Sequence, residues 1–266
     1  MYDIFDRRIN YLRVSVTDKC NLRCVYCMPE EGVELVRHED VLSFEEIVEV
    51  VRAAVELGVD KVRLTGGEPL VRCGIVELVA MIAEVDGIAD LCMTTNGILL
   101  QELARPLRET GLHRVNVSLD ATDPATYAKL TRGGDVARVL AGIDAAVDAG
   151  LVPVKINCVV ERSSEEPDAR AVAAYAEERS LEIRFIRRMN MQNAEFWVVD
   201  GGSGGDCARC NRLRLSSDGM VVPCLFGDLA FSVRELGARE ALMQAVRMKP
   251  ESGKTGRHSG LFSIGG

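Results

Sequence analysis

Short β-branched runs alternate with amphipathic helical patterns along the chain from Leu12 to about Ile186. Strands that are each followed by a helix are typical of stacked βα units around a parallel sheet. We count six such units. Since eight units close a full barrel, six would leave a lateral opening. The sequence therefore predicts an α/β fold, a partial (βα)6 TIM-like barrel, with a small C-terminal appendage after it.

The boundaries of the predicted elements follow from apolar periodicity and capping signals. Ser43 and Glu46 form a capping box, and Gly58 and Gly150 lie where helix C-caps are expected. The predicted strands are Leu12 to Val16, Lys61 to Thr65, Leu91 to Thr95, Arg114 to Ser118, Val154 to Val160 and Glu182 to Ile186. The predicted helices lie near Ser43 to Leu57, Gly74 to Val85, Leu99 to Thr110, Val136 to Ala149 and Asp168 to Arg179.

Composition narrows the class of protein. A chain of 266 residues with 47% hydrophobic content can bury one substantial core. Its formal net charge of -8 argues against general nucleic-acid binding, which depends on excess Lys and Arg. No apolar run approaches the length of a membrane helix, and charged residues near the N-terminus interrupt any signal-peptide pattern. We therefore expect a cytoplasmic protein that binds neither nucleic acid nor membrane.

The nine cysteines are more typical of metal ligands than of disulfides, because the number is odd and the expected compartment is reducing. Six of them form two sets of three: Cys20, Cys24 and Cys27, and Cys207, Cys210 and Cys224. The other three, Cys73, Cys92 and Cys158, stand in apolar or helical contexts, and we expect them to be buried.

The first set has the spacing CxxxCxxC, which lets three thiolates from one loop hold three corners of a 4Fe–4S cluster. The fourth iron then has no protein ligand, and an open metal position favours catalysis over plain electron transfer. A zinc site or a chance spacing is the alternative interpretation. Because the aromatic residue Tyr26 precedes the last cysteine and Met28-Pro29 follows it, the cluster is favoured.

Further polar motifs follow the predicted strands. Gly66-Gly67-Glu68-Pro69 follows the second strand, and the third and fourth strands end at Thr95-Asn96-Gly97 and Ser118-Leu119-Asp120. Catalytic groups of βα barrels lie at the C-terminal ends of the strands, where the cysteine loop also falls. The sequence therefore predicts one site at this end of the barrel. Taken singly, the glycine motif could be an ordinary turn, and the hydroxyls could be helix caps.

These motifs together resemble the radical S-adenosylmethionine (SAM) superfamily, and within it the GTP 3′,8-cyclase family of molybdenum cofactor biosynthesis. The similarity is carried by Leu12 to Asp18, the cysteine loop, Arg63 to Leu70, Thr94 to Gly97, Asn116 to Asp120, Ile183 to Ile186, Cys207 to Leu215, Pro223 to Phe226 and the terminal Gly265-Gly266. The resemblance implies two 4Fe–4S clusters, SAM as cofactor, and cyclisation of GTP to 3′,8-cyclo-7,8-dihydro-GTP.

The resemblance also implies roles for particular residues. It assigns the first cluster to Cys20, Cys24 and Cys27, and SAM contacts to Tyr26, Gly66, Gly67, Glu68, Thr95 and Ser118. It assigns the second cluster to Cys207, Cys210 and Cys224, for which zinc is the serious competitor because CxxC with a distant Cys also suits zinc. It assigns a catalytic role to Arg13 and substrate binding to Lys61, Arg63, Lys155, Arg184, Arg212 and Arg214. The Gly265-Gly266 tail resembles one that enters the active site.

The predicted organisation has three parts: a barrel over residues 1–199, a Gly-rich linker over 200–206, and a cluster-binding segment with its tail over 207–266. The linker could be a natural loop or an engineered join, and its composition is typical of flexible segments. The chain is also shorter than the family norm, with losses before Cys207 and after Phe226. Arg187 and Arg188 stand where relatives more often have acidic or neutral residues.

The expected partners are GTP or a related anionic small molecule and an external one-electron donor. The sequence is compatible with a homodimer but does not fix the oligomeric state. Two rival functions remain open at this stage. One is a radical SAM enzyme that acts on a peptide or another nucleotide or pterin precursor, and the other is a non-catalytic Fe–S scaffold.

Overall fold

A computed structural model describes residues 1–190 and 193–254 of the chain. The first six strands and the helices between them follow the predicted alternation. In chain order these are β1 (Tyr11–Ser15), α1 (Phe44–Glu56), β2 (Lys61–Thr65), α2 (Ile75–Ala83), β3 (Asp90–Thr95), α3 (Leu100–Glu109), β4 (Arg114–Ser118), α4 (Pro124–Thr131), α5 (Val136–Asp148), β5 (Lys155–Val160), α6 (Pro167–Glu178) and β6 (Glu182–Arg187), with a short 3-10 helix at Pro69–Val71.

Five further elements follow: β7 (Arg212–Leu215), β8 (Met220–Val222), β9 (Phe231–Ser232), α7 (Val233–Leu236) and α8 (Ala238–Arg247). All strands belong to one nine-stranded sheet in the order β6-β5-β4-β3-β2-β1-β7-β8-β9. Strands β1 to β6 are parallel to their neighbours, and β7 pairs in parallel with β1. Strands β8 and β9 add an antiparallel extension. The partial barrel is therefore confirmed, and residues after the Gly-rich stretch extend its sheet.

Local sequence signals account for the helix starts. The predicted capping box of α1 is present, because the Glu46 amide donates to Ser43 Oγ and the Ser43 amide donates to the Glu46 carboxylate at 2.7 Å. Helix α4 was not predicted, although Asp123 caps it and Pro124 occupies its first turn, as helix starts favour. None of the helices within residues 1–190 and 193–254 is long and apolar enough to cross a membrane.

The core lies between the sheet and its covering helices. Alternate residues of β1, such as Leu12 and Val14, are fully buried in one apolar cluster with the helices. The residues between them, Tyr11 and Arg13, line the interior of the partial barrel. This alternation follows from the two-residue period of a strand, which turns successive side chains to opposite faces. The sheet therefore carries an apolar outer face and a charged inner face.

Two smaller expectations can be compared with the structure. Cys92 and Cys158 are buried, as expected, but the expectation for Cys73 was wrong, because it is exposed in the turn before α2.

The Gly-rich stretch packs against β6: Asp200 and Phe185 exchange two backbone hydrogen bonds of 3.1 Å. A Cβ atom at Gly205 would lie 1.9 Å from the Trp197 carbonyl oxygen. These close contacts favour a natural loop of the fold over a flexible join.

Candidate active site

The structure brings the first cysteine set and the strand-end motifs into one cavity, which we term the cysteine-loop cavity. It is lined by the loop Cys20–Cys27, by Gly66, Gly67 and Glu68, by Thr95 and by Ser118. These residues follow or end β1, β2, β3 and β4, whose carboxyl ends meet at one rim of the barrel. All the residues to which the sequence assigned the first cluster and SAM contacts therefore lie around one space.

The cysteine loop is held by the end of α4. The amides of Arg23 and Val25 donate to backbone carbonyls of the last α4 turn, at 3.2 and 2.9 Å. One nitrogen of Arg132 donates to the carbonyls of Arg23 and Met28, both at 2.9 Å. Sequence reasoning missed this support, although the Asp-Pro start of α4 was a usable signal. The loop thus has a fixed frame that does not depend on a bound group.

The thiols of this loop are half-buried, and this affects their protonation. Burial raises the pKa of Cys24 to about 12 and that of Cys27 to about 11, with neighbouring acidic groups and thiols adding to the effect on Cys24. Buried thiols without a cation nearby are protonated at neutral pH. The positive charge of bound iron would be needed to hold them as thiolates.

Two glycines allow the backbone to pass close to this loop. A Cβ atom at Gly66 would lie 2.4 Å from the Thr17 carbonyl oxygen, and one at Gly67 would lie 2.5 Å from the Lys19 carbonyl oxygen. Only glycine fits such an approach. The motif therefore packs the β2 turn directly against the segment that leads into the cysteine loop, and leaves the cavity face of the turn free of side chains.

Glu68 is buried at the base of the same cavity. Its carboxylate accepts hydrogen bonds from the Asn96 amide at 2.6 Å, from Thr95 Oγ1 at 2.7 Å and from the Leu70 amide at 3.0 Å. Burial raises the pKa of Glu68 to about 7, and these hydrogen bonds oppose the rise. The carboxylate is thus fixed in position and gains its charge near neutral pH.

Tyr26 is held by a second buried carboxylate. Its hydroxyl donates to Asp120 Oδ2 at 2.6 Å, while Asp120 Oδ1 accepts from the Val159 amide at 2.8 Å. Burial raises the pKa values of both groups. Asp120 was part of a strand-end motif, but its contact with Tyr26 was not predicted. The contact orients the aromatic side chain between the last two cysteines of the loop.

A second cavity, which we term the cation cavity, lies inside the barrel and is lined by the cationic residues assigned to substrate binding, except Lys155. Strand register explains the grouping. Lys61, Tyr11 and Arg212 are aligned across β2, β1 and β7, and so are Arg63, Arg13 and Arg214. Two aligned rows, which contain five cations and Tyr11, therefore form one wall, and Arg184 of β6 lines the same cavity.

The electrostatics of this wall favour an anion. Burial and then the neighbouring Arg13 and Arg212 lower the pKa of Arg214 to about 9. The buried Nε atoms of Arg63, Arg184 and Arg212 have no hydrogen-bond partner within the described residues. Uncompensated cations at a buried wall are costly unless an anion binds them. Arginine side chains are also suited to bidentate contacts with phosphate.

Three basic residues are held away from this wall. Lys155 forms an ion pair with Glu182 on the adjacent strand β6 and is absent from the lining of either cavity within the described residues. Arg187 stacks on the Trp197 ring at 3.6 Å from its centroid, and Arg188 pairs with Glu161 at 2.8 Å. Lys61 lines the cation cavity but also pairs with Asp90 at 2.7 Å.

The second cysteine set lines the far end of the cation cavity. Cys207 and Cys210 lie in one turn before β7, and Cys224 follows β8. Burial raises the pKa of Cys224. Burial acts in the same direction on Cys210, but the Lys249 ammonium, the Arg212 amide and the Arg212 guanidinium together outweigh it, and the net pKa of Cys210 is lowered. Sequence reasoning missed Lys249, which lies in a polar segment that reads as exposed surface.

The donor sets can be tested against the metal groups that the sequence suggested. Within the described residues, no three His, Cys, Asp or Glu side chains lie close enough together to hold a single metal ion. Zinc needs all its ligands within about 2.3 Å of one point, whereas a cubane holds its thiolates at separate corners. In chemical terms, each set offers three thiols on one cavity, the donor set for three corners of a 4Fe–4S cubane with one open iron. The Gly265-Gly266 tail lies outside the described residues.

The two cavities are neighbours. They share four lining residues, Thr94, Asn157, Ile186 and Met189. Since both cavities open on the same stretch of β3, β5 and β6, a ligand in one would lie against a ligand in the other. The barrel interior therefore holds the two cysteine sets in two adjoining cavities.

Comparison with known proteins agrees with this geometry. Residues 14–173 match the Radical SAM superfamily. A solved structure described as native anSMEcpe with bound AdoMet has a TM-score of 0.66 at 17% identity, covering 91% of this chain and 81% of that chain. At that identity the likeness concerns the fold alone. The chain belongs to the radical SAM superfamily, whose members bind a 4Fe–4S cluster and SAM.

The curated relatives are more specific. The GTP 3′,8-cyclase of Pelotomaculum thermopropionicum is 43% identical over 306 positions, covering 94% of each chain, and that of Alkaliphilus oremlandii is 40% identical over 299 positions, covering 94% of this chain and 93% of its own. Both alignments are longer than the 266 residues here, so these relatives carry insertions that this chain lacks. Within the superfamily, the chain belongs to the GTP 3′,8-cyclase family, and its cofactors are SAM and two 4Fe–4S clusters.

Proposed function

We propose that this chain converts GTP to 3′,8-cyclo-7,8-dihydro-GTP by radical SAM chemistry, a step of molybdenum cofactor biosynthesis. The GTP 3′,8-cyclases that are 40% and 43% identical to this chain support this activity. The observation that carries the proposal within the structure is the contact between the cysteine-loop cavity and the cation cavity through Thr94, Asn157, Ile186 and Met189. A radical formed in one cavity needs a substrate in van der Waals contact from the other.

The cysteine-loop cavity is proposed to hold the first cluster on Cys20, Cys24 and Cys27, and SAM beside it. When bound, these cofactors supply the carbon radical that removes a hydrogen atom from the substrate. Glu68 would accept a hydrogen bond from the methionyl ammonium of SAM, because Thr95 and Asn96 hold its carboxylate in a fixed position. Gly66 and Gly67 would let the backbone approach the cofactor, with Ser118 and Tyr26 contacting it from the next strand end and from the loop.

The cation cavity is proposed to hold GTP. The buried Arg13, Arg63 and Arg214 and the half-buried Arg212 form a wall that suits a triphosphate, with Lys61 and Arg184 beside it. The second cluster on Cys207, Cys210 and Cys224 would then lie beside the guanine base of GTP. Lys155 would reach the anion only after leaving Glu182. Binding the two ends of GTP fixes the ribose at the junction of the cavities.

Exclusion of water is the other task of the protein. The junction carries the apolar side chains of Ile186 and Met189. Apolar groups at that point would keep solvent and stray hydrogen donors away from the radical. Arg13, which is buried in the centre of the wall, is proposed to lie next to the reacting ribose and to stabilise charge there.

The proposal also specifies partners. Reduction of the first cluster requires an external one-electron donor, which we expect to be a small redox protein or a chemical reductant in vitro. Nucleic acid is not expected to bind, given the net charge of -8.

An anaerobic assay of reconstituted protein tests the proposal. Protein, dithionite and SAM are incubated with GTP, or with ATP as the control nucleotide, and 5′-deoxyadenosine and cyclised nucleotide are measured together. The expected result is 3′,8-cyclo product from GTP alone. SAM cleavage without a cyclised product would favour a different substrate, and no SAM cleavage at all would favour a scaffold. Either result would overturn the proposal.

A further inference from the structure

Lys249 is a buried cation that joins two segments of the second cysteine set. It lies two residues after α8 and is 2% exposed. Its ammonium donates to the Arg212 carbonyl at 2.8 Å and to the Pro223 carbonyl at 2.5 Å. Arg212 follows Cys210 by two residues, and Pro223 immediately precedes Cys224. One ammonium therefore fixes the spacing of two cysteines that are 14 residues apart.

Arg7 makes the corresponding contact with the remaining cysteine. Its guanidinium donates to the Cys207 carbonyl at 2.8 Å, and also to the Glu251 and Pro250 carbonyls at 2.9 and 2.7 Å. The side chain is buried, and Asp3 accepts from its Nε at 2.6 Å. Arg7 therefore connects the N-terminal segment, the CxxC turn and the segment after α8.

The two cations meet in one place, because residues 249–251 provide Lys249 and two of the carbonyls that Arg7 binds. We propose that Arg7 and Lys249 form a carbonyl clamp that sets the spacing of Cys207, Cys210 and Cys224 for the second cluster, and that Lys249 is also the counter-cation of that cluster. Arg7 is a positioning residue, since its contact with the cysteine set runs through the Cys207 carbonyl. Lys249 holds the Arg212 and Pro223 carbonyls in the same way, and its ammonium also hydrogen-bonds the Cys210 thiol, which places its charge next to the second cluster.

Arg7 and Lys249 differ in whether a carboxylate neutralises their charge. Asp3 neutralises Arg7 in an ion pair whose side chains are 7% exposed or less. Within the described residues, Lys249 has no carboxylate in an ion pair. A buried ammonium without an anion is costly. Three cluster thiolates in the same cavity would supply the missing negative charge. Lys249 should therefore affect the charge of the cluster environment, whereas Arg7 should affect geometry alone.

The clamp rests on the proposed assignment of the second cluster, so that assignment is tested first. Reconstituted wild-type protein should hold about eight irons, four for each cluster. A variant with all three cysteines, Cys207, Cys210 and Cys224, changed to Ala should hold about half of that and still cleave SAM. If wild-type protein holds only one cluster, the assignment fails independently of the clamp.

The clamp is then tested with Lys249→Met and Arg7→Met. Removing groups that orient metal ligands typically costs about 10–100-fold in metal affinity. Each variant should keep the first cluster and its SAM cleavage, and should lose at least half of the second-cluster iron during gel filtration against a chelator. Arg247→Met and Arg8→Met are matched controls, because both residues are exposed neighbours in sequence. They should match wild type.

Amide hydrogen exchange of the metal-free chain provides a readout that needs no cluster. Exchange in the segments 207–212 and 223–226 should become at least tenfold faster in the two clamp variants, while the cysteine loop around Cys24 should not change. Retained iron at the second site together with unchanged exchange would overturn the clamp. Faster exchange in every segment would also overturn it, because it would indicate general destabilisation.

The counter-cation role is tested by redox titration of the second cluster, followed by its electron paramagnetic resonance signal. Lys249→Gln keeps a hydrogen-bond donor but removes the charge, so the reduction potential should shift downward. Arg7→Lys and Lys249→Arg keep the charge and should leave the potential close to that of wild type. An unshifted potential in Lys249→Gln, or an equal shift in Arg7→Lys, would overturn this part of the proposal.

Discussion

The two cysteine sets differ in how the chain assembles them. Cys20, Cys24 and Cys27 stand in one loop, supported by α4 and Arg132. Cys207, Cys210 and Cys224 come from two segments, which buried cations connect from outside. The charges differ as well. A buried carboxylate, Glu68, faces the first set, whereas a wall of arginines faces the second.

This difference indicates what each cavity can bind. A carboxylate that gains its charge near pH 7 suits a ligand with an ammonium group, and several neighbouring arginines suit a polyanion. The barrel thus separates two ligands of opposite charge while keeping them in contact at one junction. Substitutions in one cavity at a time test that separation.

Substitution of a cysteine should have a different effect on the reaction products in each of the two sets. Cys24→Ala should reduce 5′-deoxyadenosine formation to the level of a reaction without enzyme, because the first cluster is lost. Cys210→Ala should retain SAM cleavage and lose the cyclised product. Cys73→Ala is the control, since Cys73 is exposed and outside both cavities. Anaerobic product analysis measures both products for all three variants. Loss of SAM cleavage in Cys210→Ala would contradict the proposal that the first cysteine set alone supports that reaction.

Removing one cation from the wall should weaken nucleotide binding alone. Arg63→Met should lower GTP affinity by about 10–100-fold, since hydrogen bonds to charged groups contribute about 1.5–3 kcal/mol each. SAM affinity should stay within about twofold of wild type, because the wall lies outside the cysteine-loop cavity. Isothermal titration checks both ligands. Arg188→Met, an exposed ion-pair residue, is the matched control, and equal losses for both ligands would refute the separation.

The affinity for SAM should depend on pH through Glu68. The pKa of Glu68 in the ligand-free chain is raised by burial from its ordinary value to about 7. An ammonium binds the charged form, so affinity should fall by about tenfold for each pH unit below 7 and level off above it. For the ligand-free chain the same raised pKa means that stability is lost as pH rises through 7.

Titration of SAM binding between pH 6 and pH 8 measures this dependence. Glu68→Gln imitates the protonated form, so its affinity should be low and nearly independent of pH. An equally steep profile in Glu68→Gln would assign the titration to another group.

Lys155 should give the smallest effect. Its ion pair with Glu182 lies between neighbouring strands, and partly exposed pairs of this kind contribute about 0–1 kcal/mol. Lys155→Met should therefore change GTP affinity by less than about fivefold, well below the loss in Arg63→Met. A loss as large as that of Arg63→Met would mean that Lys155 leaves Glu182 and binds the nucleotide.

The sequence predicted the features that depend on local pattern. Six strands and their helices follow from periodicity, and the strand-end motifs follow from the topology of βα units. Helix α4 was missed because only eight residues separate its caps. Strand β7 was missed because four residues that alternate Arg and Leu read equally well as part of a binding motif.

Contacts between distant segments could not be predicted in this way. The pairing of β7 with β1 joins Tyr11 to Arg212, residues about 200 positions apart, and no local pattern encodes it. Arg7 and Lys249 stand in polar segments, where a charged residue usually faces solvent. Their burial follows from the carbonyl groups that surround them in three dimensions.

The parallel pairing of β1 and β7 also sets an order of events during synthesis. Strand β1 is synthesised about 200 residues before β7. The first cysteine loop and the α4 helix that supports it lie within the first half of the given sequence. The arginine wall, in contrast, is complete only after β7 has paired with β1, so formation of the cation cavity depends on a strand that is made late.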